Sequence, residues 1–255
     1  TVERSVLNPL SDADKIAARM AELGFADRVP KTYASVQDAL NEQPKADDLW
    51  FVRSQFRGAN DKTLCLPTPI MAAATVPSGH LLQKAVDGLA LIDQHKFTAR
   101  FYIVAVDGHL MCYEDSVVFV HGAAYAPNDA NHASQVDNRS YRDTGSHIKL
   151  VPGNQTPHAA TLTEAAKVLT IDMTELFDEV RQASAAGVSE EKAFAVLALD
   201  TLLTKSGDLK LLRIHTFPNF ITTAQIDADV HVPLFEDVLR VMAGISSRKL
   251  ATITD

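Results

Sequence analysis

The stretch KFTARFYIVAVDGHLMCY, Lys96 to Tyr113, constrains this chain more than any other. Between Phe97 and Val106, Ala99, Phe101, Ile103 and Ala105 fall on one side of an extended segment, and Thr98, Arg100 and Tyr102 fall on the other. Alternation over that length marks a strand, because successive side chains point to opposite faces. Asp107-Gly108 is a strong two-residue hairpin turn, so HLMCY is expected to return antiparallel.

Other segments supply neighbours for this strand. LWFVRS from Leu49 and the run Thr63 to Leu66 read as a hairpin with a polar tip at Arg57 to Asp61. LLQKAV from Leu81 and VVFVHG after Ser116 are further strands, and AFAVLALDTLL returns through KSGD into LKLLRIHTF. Helices are expected after Ser11, acting as N-cap, up to a stop at Gly24, then over Thr163 to Leu169, Asp172 to Ala186 and Val232 to Ala243. A short element is expected at Val36 to Leu40. Residues 122–160, rich in Asn, Asp, His, Ser and Pro, read as a long irregular loop beside a functional cleft. The fold class is α+β, with antiparallel sheets covered by helices.

A chain of 255 residues is long enough for one large domain or two interleaved lobes. Its formal net charge of −8 argues against a non-specific nucleic-acid binder, which needs a basic stripe. Cys65 and Cys112 lie in apolar stretches and read as free thiols of a reducing compartment. No apolar run approaches the ~20 residues of a membrane span, and nothing reads as a signal peptide. A cytoplasmic protein without a membrane partner is the expectation.

The order of the motifs resembles the ATP-grasp fold and, within it, the tubulin–tyrosine-ligase-like family. VPKTYASVQDAL, WFVRSQFRGANDKTLCL, LLQKAV, KFTARFYIVAV, YEDSVVFVHGAAYAP with the segment 132–138, and LALDTLL with LLRIHTFPNF carry it, from about Val29 to Met242. The resemblance implies one ATP-grasp domain over 1–255, with a smaller nucleotide lobe at 30–95 and a larger lobe at 96–245 bearing the metal-site hairpin. It implies ATP and Mg²⁺, with the γ-phosphate passed to an amino-acid, peptide or protein carboxylate and an amine attacking the acyl-phosphate. Positioning and charge neutralisation dominate such catalysis. By resemblance, Gln83 and Lys84 sit by the adenine. Lys96 and Arg100 face phosphates or a substrate carboxylate, and Asp200 is the Mg²⁺ ligand.

Several positions depart from the family pattern. The phosphate-contacting Lys of the first hairpin is Arg53, which keeps the charge but changes its geometry. The Asp of the Lys-Phe-Asp-Leu-Arg motif is Thr98, and an expected Arg is Phe119. The Glu-x-Asn pair that completes the metal site is Arg213-Ile214-His215.

A turn at Ser206-Gly207 is expected to set Thr204 opposite Leu209, Leu202 opposite Leu211 and therefore Asp200 opposite Arg213. Arginine cannot ligate a metal. It either pairs with Asp200 or stands where the metal stood and contacts an anion directly. His215 reads as a polar sheet residue, and His132, His147 and His158 as solvated loop residues. Two functions follow: a carboxylate–amine ligase of this type, or a non-catalytic module of the same fold binding a nucleotide, peptide or protein partner.

Overall fold

A computed structural model describes residues 1–54, 63–136, 148–185, 193–220 and 222–253. Eleven strands among them form two antiparallel sheets. The smaller contains β1 (Thr32–Tyr33), β2 (Leu49–Ser54), β3 (Leu64–Pro67) and β4 (His80–Lys84), in the order β1-β4-β2-β3. The larger contains β5 (His95–Val106), β6 (His109–Tyr113), β7 (Val117–Ala124), β8 (Lys149–Pro152), β9 (Phe194–Leu203), β10 (Leu209–His215) and β11 (Leu250–Thr252). Its main path runs β10-β9-β5-β6-β11, with β7 joining β5 to β8.

The long strand is the spine of the larger sheet. Its first half pairs with β7 and its second half with β6, while β9 covers the other edge from Ala99 to Val106. Asp107 and Gly108 both have positive φ, as the turn into β6 requires. Phe97, Ala99, Phe101, Ile103 and Ala105 pack with Met20, Leu162, Leu169 and Phe177 in the main core.

The other face of β5 is not a solvent face either. Tyr102, Val104 and Val106 are buried with Ile226, Leu234 and Val238, beneath the helix Val232–Met242. Only the leading end of that face, Lys96, Thr98 and Arg100, opens on a cavity. Burying each large apolar side chain contributes about 1.5–3 kcal/mol, so two covered faces hold the spine firmly.

Local differences from the sequence reading have simple causes. The first long helix is Ala13–Glu22, capped by the Asp12 side chain accepting from the Asp14 N–H, and Ser11 belongs to a preceding 3-10 turn. Gly24 ends it with φ +85°. Helix Ala159–Asp172 is longer than expected, and the next segment divides into a 3-10 turn, Thr174–Phe177, and helix Asp178–Ala185.

The long loop is partly regular. β8 pairs with β7 from Val117–Pro152 to Val120–Lys149, and His158 stacks on Phe97 with its Nε2 2.9 Å from the Leu91 carbonyl oxygen. Residues 137–147 of that loop, His147 among them, and the hairpin tip at 57–61 lie outside the described residues. Among the described residues Cys65 and Cys112 are both free thiols, and no helix is long and apolar enough to cross a membrane.

Candidate functional site

Between the two sheets lies a cavity of about 270 Å3. The smaller sheet contributes Phe51 and Arg53 from β2 and Gln83 and Lys84 from β4. From the larger sheet come Lys96, Thr98 and Arg100 on β5, Asp200 on β9 and Arg213 on β10. All seven site residues expected from the sequence therefore meet in one cleft, although they are spread from position 53 to position 213. Alternation explains the β5 set, since every second side chain of a strand shares a face.

The charge of this cleft opposes that of the chain. Its described lining carries five cationic side chains, Arg53, Lys84, Lys96, Arg100 and Arg213, against the single carboxylate of Asp200. The protein as a whole has formal net charge −8. Clustering like charges in a cleft costs self-repulsion and is relieved by an anion.

Asp200 is the most tightly held group in the site. Arg100 lies directly opposite it in the β5–β9 register. Arg100 Nε donates to Asp200 Oδ1 at 2.7 Å, and Nη2 donates to Oδ2 at 2.9 Å, a fork-on-carboxylate geometry. His215 Nε2 lies 2.6 Å from the same Oδ2 and 3.1 Å from Arg100 Nη2. Burial alone would raise the Asp200 carboxyl, but the Arg100 and His215 charges outweigh it and hold it far below the usual carboxylate range. Arg100 also donates to the Asn219 carbonyl at 3.2 Å and packs over the Phe119 ring at 5.0 Å. Phe119, noted from the sequence only as a lost arginine, is thus a wall for this pair.

The expected pairing of Asp200 with Arg213 needs correction. The two are opposite in the backbone register, but for a different reason than the turn supplies. Near the turn, Leu209 pairs with Leu203 and Leu211 with Thr201, one residue away from expectation. A bulge at Leu212 then shifts the register and brings Arg213 opposite Asp200. The carboxylate itself is held by Arg100 and His215. The reading of His215 as an ordinary sheet polar residue missed this bond. Its signal in the sequence was the spacing Arg213-x-His215 on a strand whose partner carries an Asp.

The bulge also joins the sheets. Arg53 Nη1 donates to the Gln83 side-chain oxygen at 2.8 Å and to the Leu212 carbonyl at 3.3 Å. Gln83 in turn donates to Thr32 at 3.3 Å. Lys84 is paired with Asp48 at 2.7 Å, a partner the sequence reading did not name.

Lys96 is different in kind. It is 6% exposed, and its ammonium nitrogen donates to the Gln135 carbonyl at 2.9 Å. The rings of Phe51 and Tyr125 flank it at 5.2 and 5.9 Å. Burial pushes its pKa down to about 8.

A resident Mg²⁺ does not fit these residues. Mg²⁺ demands near-ideal octahedral oxygen ligation. Both Asp200 oxygens are engaged by a guanidinium, its strand partner at 213 is an arginine, and no group of three or more His, Cys, Asp or Glu that could hold a metal occurs among the described residues.

Known proteins add to this geometry. Neither family models nor curated proteins give a match to the chain. Among solved structures it is similar to the C-terminal domain of Pby1 from K. lactis, described as an ATP-grasp enzyme interacting with the mRNA decapping enzyme Dcp2. The TM-score is 0.59 at 14% identity, and the match covers 100% of this chain and 80% of that one. The chain has an ATP-grasp-type fold. At that identity the likeness speaks for the architecture alone, so the chemistry of this ATP-grasp-type cleft rests on its own side chains.

Proposed function

We propose that this chain is a non-catalytic ATP-grasp module whose cleft takes a phosphate-bearing anion, such as a nucleotide, without a divalent metal. The observation that carries the reading is the bidentate Arg100–Asp200 pair with His215 behind it. A metal-dependent ligase needs that carboxylate open to a cation. Here a fixed guanidinium neutralises it, and further cationic side chains line the same cleft. Residues 30–95 and 96–245 act as two lobes closing on the ligand, with Arg53 reaching from the first to the Leu212 carbonyl of the second. The cavity of about 270 Å3 lies just below the ~300–1,000 Å3 usual for small-molecule pockets, which suits part of a nucleotide until the lobes open. A protein partner is a further part of the proposal, since Pby1, whose C-terminal domain is similar, is described as interacting with Dcp2.

The second reading is a carboxylate–amine ligase of the tubulin–tyrosine-ligase-like type. It is favoured by the meeting in one cleft of all seven residues that the motif order singled out. Calorimetric titration with ADP and ATP, in chelator and then with Mg²⁺, separates the two. Binding of equal strength in both conditions is expected. Binding seen only with Mg²⁺ would transfer the case to the ligase, and no binding of either nucleotide would remove the nucleotide reading.

A further inference from the structure

Lys96 has a chemistry that charge neutralisation alone does not require. Three features of its surroundings favour the neutral amine. Its nitrogen is buried, its hydrogen-bond acceptor is the uncharged Gln135 carbonyl, and no carboxylate among the described residues bears on it. The groups that do face it are also uncharged near neutrality. Cys65 from β3 is pushed up to about 11 by burial, and burial raises the Tyr125 phenol as well. Arg100, two pleats along the same strand face, and Arg53 line the same cavity. Cys65 acts the other way, as do the Phe51 and Tyr125 faces, which stabilise an ammonium by about 0.5–2 kcal/mol. Burial prevails over them, and the Lys96 pKa falls rather than rises. An amine desolvated in a largely apolar pocket is an arrangement that activates lysine as a nucleophile toward carbonyl carbon.

We propose that Lys96 is a carbonyl-capture site, forming a Schiff base with an aldehyde or ketone that carries a phosphate. The phosphate would sit among the cleft cations while the carbonyl meets Nζ. The nitrogen lone pair adds to the carbonyl carbon, the carbinolamine loses water, and an imine remains. Amine plus carbonyl gives imine plus water, with no change of oxidation state and no further reactant. This inference rests on the cleft being an anion site.

Pyridoxal 5′-phosphate, trapped with borohydride and located by peptide mapping, is the probe. The expected result is preferential labelling of Lys96, with a rate that rises through about pH 8. Labelling should be at least tenfold slower with pyridoxal, which lacks the phosphate, and should be slowed by ADP. Lys96→Gln should lose the label, and so should Lys96→Arg, which keeps the charge but forms no imine under these conditions. Labelling of exposed lysines such as Lys15 and Lys31 at equal or greater rates, with Lys96 spared, would overturn the inference. If ADP binds in chelator while Lys96 stays unlabelled, the carbonyl proposal alone fails. If pyridoxal and its phosphate label Lys96 equally and ADP does not bind, the anion reading fails and takes with it the ligand class proposed here.

Discussion

Replacing Asp200 with Asn tests the central pair without changing its shape. In the folded protein Arg100 is 7% exposed at its side chain and Asp200 17%, so neither charge is well hydrated. Removing one partner of a buried pair typically costs about 3–5 kcal/mol, because the remaining charge stays buried and uncompensated. An asparagine oxygen can still accept one of the two guanidinium bonds, and Asn219 keeps its own. The loss should therefore lie near the lower end, about 3 kcal/mol. For a chain of this size that is a fall in Tm on the order of 10 °C.

The assay is urea unfolding of Asp200→Asn, Arg100→Met and the double variant at pH 7. The double variant should be less damaged than the sum of the singles, with a coupling of about 1–3 kcal/mol. A loss below about 1 kcal/mol for Asp200→Asn, with additive behaviour in the double variant, would refute the reasoning, since that is how a solvated surface pair behaves.

Two further predictions concern the second core. His231 is buried, with Nε2 2.8 Å from the Tyr102 hydroxyl and Nδ1 3.2 Å from Asp227, a set that a neutral imidazole satisfies at both nitrogens. Burial lowers its pKa below the ordinary value, despite Asp227. The unfolded chain then binds the proton more readily, so stability should fall as pH drops below about 6.5, and His231→Gln should flatten that limb of a urea-midpoint profile. The Tyr113 hydroxyl is buried and has no hydrogen-bond partner among the described residues. Tyr113→Phe should raise stability by about 1 kcal/mol in the same assay, and a loss would mean that the hydroxyl has a partner after all.

What the sequence revealed follows from how local each signal is. The strand His95–Val106 and the β5–β6 turn were legible because period-two alternation and Asp-Gly act within a few residues. The gathering of the site residues was legible only through motif order. The Arg100–Asp200 pair was not, because it depends on β5 and β9 lying side by side across 100 positions of sequence. The burial of Tyr102 was missed for a related reason: alternation separates two faces but does not say that helix Val232–Met242 covers the second. Asp48, the partner of Lys84, lies just outside β2 and had no pattern to mark it.

The bulge at Leu212 can be regarded as one extra letter in the reading frame of β10. Leu209, Leu211 and Ile214 are core residues, while Leu212 and Arg213 both line the cleft. With Leu212 left out, the core residues Leu209, Leu211 and Ile214 would alternate in strict turn with the polar Lys210, Arg213 and His215. Deleting that one residue should leave Leu211, Ile214 and His215 in phase with the sheet, whereas deleting a neighbour on the regular part of the strand would turn the remainder inside out. What would disappear is the carbonyl that receives Arg53. The contact that ties the two sheets and the alternation that packs the core thus sit in separate residues of a single strand.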